Sequence, residues 1–192
     1  MLNLKSRLKP GLLRRAAGLA GAAALALLAA CASAPTPADY AAEKPVLDLK
    51  QYFNGELVAH GLFTDRSGKV VRRFTVQMTG TWSGQQGTLD ERFTYSDGVT
   101  QRRLWRLTDE GGGRYTGRAA DVVGVAEGRA AGNALNWRYT LSLPVDGKVY
   151  EVQFDDWMYL MSDRVMLNKA AMSKFGFALG EVTLSFDKPA KP

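Results

Sequence analysis

Few of the 192 residues can do chemistry, and their spacing is more informative than their types. Three charged side chains fall on otherwise apolar strand faces. Arg72 alternates with Val70, Phe74 and Val76, Glu91 with Leu89, Phe93 and Tyr95, and Arg103 with Trp105 and Leu107. A charge on such a face is costly unless it meets an opposite charge or a ligand. One expectation is a binding site in which Arg72, Arg103 and a tyrosine hydroxyl hold a carboxylate or phosphate among apolar side chains. Tyr95 and Tyr139 are the candidate hydroxyls, with Glu91 and Trp137 on the same walls. The alternative is an Arg–Glu–Arg cluster that serves only the fold, or an outward face with half-exposed aromatic rings. A single bulge would exchange the two faces of any of these strands.

Other groups offer less. Asp155 and Asp156 are adjacent, so on a strand they point to opposite faces and cannot form one general acid/base pair. One of them is expected inside, beside Trp157 or Tyr159, with a raised pKa; the other is expected at a turn or paired with an arginine. Asp163 is close in sequence, yet no loop with calcium-ligand spacing accompanies it. His60 is the sole imidazole, and no G-x-S-x-G elbow exists for it to serve, so it is expected on a strand face near the barrel mouth. Gly124, Gly128 and Gly132 suit strand kinks better than a phosphate loop, because no helix follows them. One cysteine and one histidine exclude an internal disulfide, a Cys/His zinc site and a CxxC redox pair. No catalytic residue, metal or cofactor is assigned.

The single cysteine belongs to a different kind of signal. Lys5, Arg7, Lys9, Arg14 and Arg15 precede every acidic residue, and an uncharged run from Ala16 to Ala30 follows them. That run is shorter than the roughly 20 apolar residues of a membrane-spanning helix. It ends in Leu28-Ala29-Ala30-Cys31, which resembles the lipobox of bacterial lipoproteins, where cleavage precedes the cysteine and its thiol is joined to diacylglycerol. Lipid on Cys31 would hold the mature chain on a membrane without spanning it. Ala32 after the cysteine implies, by the same resemblance, the periplasmic face of the outer membrane. Without the five leading cations, 20 basic side chains face 19 acidic ones, so the net charge of +6 gives no warrant for nucleic-acid binding.

The elements that must position the charged residues are strands. Residues 70–78, 89–95, 137–143 and 182–186 alternate with period two and are rich in β-branched and aromatic side chains. Between such runs lie Asp65-Arg66-Ser67-Gly68, Ser83-Gly84, Ser96-Asp97-Gly98, Gly111-Gly112-Gly113 and Asp146-Gly147, which are tight-turn compositions. About ten strands at near-regular spacing predict an all-β antiparallel meander. With no helices to cover its face or edges, the sheet is expected to close into an up-and-down β-barrel of the calycin type, as in lipocalins and fatty-acid-binding proteins. Asn168 to Phe177 is the one stretch expected to form a short helix or irregular crossing. The boundaries follow: a signal peptide over 1–30, a lipidated Cys31 and flexible tether over 31–48, the barrel over 49–188 and a tail over 189–192.

Tyr52-Phe53-Asn54-Gly55, Asp65-Arg66-Ser67-Gly68-Lys69-Val70, Gly132-Asn133-Ala134-Leu135-Asn136-Trp137, Phe154-Asp155-Asp156-Trp157-Met158-Tyr159 and Met172-Ser173-Lys174-Phe175-Gly176 resemble a Gram-negative lipoprotein family. That family is known only as a domain of unknown function (DUF 3833). The resemblance runs from about Gln51 to Lys188 and implies no activity, although its members' association with fatty-acid-modifying enzymes implies a lipid-related role. Three functions remain open. The first is a membrane-anchored barrel binding a fatty acid, lipid or other apolar ligand. The second is a structural envelope protein whose 19 aromatic residues fill the barrel. The third is an enzyme acting on lipid-derived substrates through His60 or an aspartate.

Overall fold

The computed structural model describes residues 34–145 and 147–189; the segment 1–30 and Cys31 lie outside them. Ten strands follow one another: β1 (Gly55–Asp65), β2 (Val70–Ser83), β3 (Gln86–Tyr95), β4 (Thr100–Gly111), β5 (Arg114–Arg118), β6 (Val122–Ala131), β7 (Ala134–Val145), β8 (Lys148–Leu160), β9 (Val165–Lys174) and β10 (Phe177–Asp187). Each pairs antiparallel with its sequence neighbours, and β10 returns to β1, so the barrel is closed. Closure gives every strand two partners and hides one face of the sheet, as the alternating sequence requires.

The turns form where the sequence places them. Asp65 Oδ1 accepts hydrogen bonds from the backbone N–H groups of Ser67 (2.8 Å) and Lys69 (3.2 Å), and Gly68 takes the left-handed φ of 85° that closes the β1–β2 hairpin. Asp97 and Gly98 do the same between β3 and β4.

Two expectations are corrected. Residues 168–177 form no helix or irregular crossing: β9 runs through Lys174, and Phe175-Gly176 turn the chain into β10. Its inward positions are Met166, Asn168, Ala170 and Met172, all buried, so the period of two is intact although a polar residue and a small one interrupt the apolar face. The second correction concerns the tether over 31–48. From Thr36 onward the chain belongs to the compact unit of the barrel. Pro37–Tyr40 form a 3-10 turn, and the Tyr40 ring packs against Trp157 (5.8 Å) and Tyr159 (5.3 Å). Leu47 is buried, and its N–H donates to the Gly132 carbonyl at 2.8 Å. Tilted and edge-on aromatic contacts and a backbone bond outweigh the freedom that the small residues and prolines suggest.

A four-residue helix, α1 (Leu49–Tyr52), closes one end of the barrel. Asp48 caps it by accepting from the N–H groups of Lys50 and Gln51. Leu49, Tyr52 and Phe53 are buried, with the Phe53 ring edge-on to Phe186 at 5.8 Å. The Tyr52 hydroxyl donates to the Arg164 carbonyl at 3.0 Å. Gly80 on β2 is required here, because any side chain would collide with the Phe53 carbonyl. The opposite end, ringed by the loops at 66–69, 96–99, 119–121 and 175–176, has no such plug among the described residues.

Candidate ligand-binding cavity

Inward-facing side chains do not fill the barrel. They enclose a cavity of about 530 Å³, floored by Leu49 and Phe53 and reaching Val71, Arg72, Pro144 and Val145 at the unplugged end. That size is within the usual range for small-molecule sites. The aromatic rings pack on one another along the walls. Tyr139 stacks on Phe154 at 4.9 Å, Trp105 stands edge-on to Trp137 (5.7 Å) and Tyr139 (5.6 Å), and Phe93 stacks on Tyr95 at 6.0 Å. Gly117 and Gly128 make room for this wall, since a Cβ at either position would overlap the Trp137 ring. Gly128 is thus a packing glycine. Gly124 (φ 74°) sits in the irregular pairing of β6 with β7, and Gly132 (φ 54°) in the turn beneath Tyr40.

All six residues singled out from strand parity, Arg72, Glu91, Tyr95, Arg103, Trp137 and Tyr139, border this cavity. Glu91 and Arg103 are register partners on β3 and β4. The Arg103 guanidinium makes two contacts with the Asp121 carboxylate, Nε at 2.9 Å and Nη2 at 2.8 Å, while Nη1 lies 3.6 Å from Glu91 Oε2. Burial alone would lower the Arg103 pKa, but Glu91 and Asp121 together hold it above the ordinary value. Burial pushes Glu91 up to about 7 against the pull of Arg103 and the Trp105 indole, and its Oε2 has no hydrogen-bond donor. Arg72 lies nearer the mouth, where Nη2 is 2.7 Å from Asp97 and the guanidinium covers the Tyr95 ring at 3.6 Å. Burial raises the phenols of Tyr95 and, more strongly, Tyr139.

A second inward polar group lies close enough to Glu91 for their charges to interact. Asp156 on β8 points inward beside Trp137, its register partner, and accepts a hydrogen bond from Asn168 Nδ2 on β9. Burial pushes its carboxyl up to about 7, with the charge of Glu91 adding to the effect. Asn168 Oδ1 is buried without a donor. Asp155 points outward, as the alternation requires, where it pairs with Arg138 (3.3 Å) and accepts from Asn136 Nδ2 at 2.6 Å. The parity rule for the acid pair therefore predicts both fates. Trp157 and Tyr159 lie on the outer face against Tyr40, however, so the inward carboxyl is not beside them.

Sequence reasoning missed Asp121 and Asn168. Asp121 lies between β5 and β6, where no strand period signals it. Asn168 sat in the stretch expected to be irregular. His60 is exposed and borders a shallow outer groove with Thr75, Thr94 and Ser185, away from the cavity. Among the described residues, no three His, Cys, Asp or Glu side chains gather closely enough to hold a metal ion.

Comparisons with known proteins agree with this architecture. Among solved structures, the S-type phycobiliprotein lyase CPES from Guillardia theta is similar, with a TM-score of 0.54 at 6% identity over 73% of this chain and 91% of that one. EF1p2_mFAP2b bound to DFHBI matches with a TM-score of 0.41 at 11% identity, covering 72% of this chain and 95% of that one. A protein of unknown function from the DUF3598 family of Nostoc punctiforme gives 0.47 at 12% identity, covering 82% of this chain and 53% of that one. At 6% identity the likeness to the lyase shows the fold alone, a calycin-like closed barrel. No protein of curated function matches the sequence. The model of the family described as "Protein of unknown function (DUF3833)" matches residues 25–188, and the chain belongs to that family.

Proposed function

We propose that this DUF3833 protein is a membrane-anchored binding module that encloses one apolar or amphipathic small molecule, such as a fatty acid or another lipid. The cavity carries the reading: about 530 Å³ of space remains inside walls of aromatic and aliphatic side chains, although the chain has enough aromatics to have filled it. Side chains that meet one another along the wall rather than across the interior leave an apolar volume with a defined floor and one mouth. Such a volume favours an apolar occupant over water. The membrane anchor is the lipid expected on Cys31, which would place the barrel at the periplasmic face of the outer membrane.

Thr36–Pro192 form one compact unit and can be produced without the preceding segment. Native mass spectrometry of that unit, purified from cells without detergent, tests the binding reading. One apolar adduct per chain supports it, with loss of the adduct in Ala170→Phe, which places a ring in the cavity. A bare polypeptide mass that persists after incubation with fatty acids and phospholipids opposes it and favours the structural barrel.

A further inference from the structure

We infer that the polar end of the ligand is a hydrogen-bond donor, a hydroxyl or an amine N–H, and not a carboxylate or phosphate. The inference rests on the binding reading above and assigns the chemical class of what the cavity takes. Two guanidiniums border the cavity, and both are already engaged. Arg103 is held by Asp121 on one side and Glu91 on the other. Arg72 is held by Asp97 through Nη2 with its plane on Tyr95, and its buried Nε has no acceptor. Asp97, Asp121, Glu91 and Asp156 thus set four carboxyls against two cations. An anionic head would sit among these carboxyls, whose charges oppose it.

Apart from Arg72 Nε, the unmet buried polar atoms that line the cavity are acceptors. Glu91 Oε2, 3.6 Å from Arg103 Nη1, and Asn168 Oδ1 accept no hydrogen bond, and Asp156 takes its hydrogen bond from Asn168. Their residues are 9%, 2% and 7% exposed, too little for bulk solvent to serve them. A buried acceptor without a donor costs about 1–3 kcal/mol. A ligand bringing N–H or O–H groups to these acceptors would remove that cost, and an ammonium would also serve as counterion to Glu91 and Asp156. Discrimination of this kind is strong, because the wrong head leaves buried polar groups unpaired.

The charged surroundings set the pH response. Glu91 faces Arg103 and Trp105 on β4, Asp121 in the β5–β6 connection and Asp90 on its own strand. Asp156 faces Asn168 on β9, Glu91 on β3 and Tyr139 on β7, with Asp155 beside it. Ionisation of the two inward carboxyls from pH 6 to pH 8 strengthens binding of an ammonium and weakens binding of a carboxylate.

Three probes with one chain and different heads test this on Thr36–Pro192: dodecanol, dodecylammonium and dodecanoate. The fluorescence of Trp105 and Trp137 reports binding, and the probes are kept below their micellar concentrations. The expected result at pH 8 is binding of dodecanol or dodecylammonium at least tenfold tighter than dodecanoate, with dodecylammonium tightening from pH 6 to pH 8. Asp156→Asn and Glu91→Gln should each reduce the lead of dodecylammonium over dodecanoate at least tenfold, and either variant suffices should the other fail to fold. Dodecanol as the tightest probe identifies a neutral donor, and dodecylammonium a cationic one. Dodecanoate binding as tightly as the other two overturns the inference and leaves the binding reading intact. Binding of none of the three counts against the binding reading itself.

Discussion

Replacing Asp156 by asparagine should stabilise the protein more at pH 8 than at pH 5. The carboxyl is buried, and its pKa is raised from an ordinary 3.8 to about 7. The folded state therefore holds this proton more tightly than the unfolded chain does. Stability is greatest below the unfolded value and falls as pH rises through about 4 to about 7. Three pH units at 1.36 kcal/mol each set a ceiling of about 4 kcal/mol lost by pH 8. Water entering the cavity and the coupling to Glu91 reduce that figure, so a gain of roughly 2 kcal/mol for Asp156→Asn is the working value. The amide keeps an oxygen for Asn168 Nδ2 and adds a donor that the orphaned Asn168 Oδ1 can use. Asp90, Asp97 and Asp109 do not blur the comparison, because Arg102, Arg72 and Lys50 hold them below the usual carboxylate range. Urea denaturation of both proteins at pH 5 and pH 8 gives the four free energies. An equal loss of stability at both values would refute the electrostatic argument and make Asp156 an ordinary structural hydrogen-bonding group.

Arg103→Met removes the cation between Glu91 and Asp121; it should cost about 3–5 kcal/mol at pH 8 and less at pH 5, where Glu91 is protonated, as read by the same denaturation series. Gly80→Val drives a side chain into the Phe53 carbonyl, so α1 should lift from the barrel end, with a loss of about 2 kcal/mol or more and faster amide exchange at Tyr52 and Phe53. Trp137→Ala leaves a void over Gly117 and Gly128 and should cost about 3–5 kcal/mol in chemical denaturation. Cys31→Ala in the full chain should move the protein from the membrane fraction to the soluble fraction of the cell; persistence in the membrane fraction would contradict lipid anchoring at that residue.

Strand parity and turn chemistry were enough to read the barrel, because every inward position had to be apolar or paired. Arg72, Glu91 and Arg103 were legible for the same reason: a charge in phase with Phe74, Leu89 or Trp105 has nowhere to go but the cavity. The same logic sent Asp156 in and Asp155 out. It failed on β9, where Leu167 is largely exposed while Asn168 is buried, so the local pattern opposes the true faces. Asp121 was invisible because a loop residue has no phase, and its role appears only when Arg103 reaches it across the β4–β5–β6 surface. The docking of the segment at 36–48 is not legible in the sequence, because its grip comes from Tyr40 and Leu47, two apolar side chains separated by polar and small residues. Neither helical nor strand periodicity marks such a pair. The plug formed by Leu49, Tyr52 and Phe53 was missed likewise, since α1 is too short to show a helical repeat.

The most direct test of an open, ligand-accepting barrel is a crystal structure of Thr36–Pro192 grown with dodecanol. The expected result is electron density for the alkyl chain between Trp105, Tyr139, Phe154 and Met172, with the hydroxyl within hydrogen-bonding distance of Glu91, Asp156 or Asn168. An interior closed by rotated aromatic side chains, with no density for the alcohol, would contradict it.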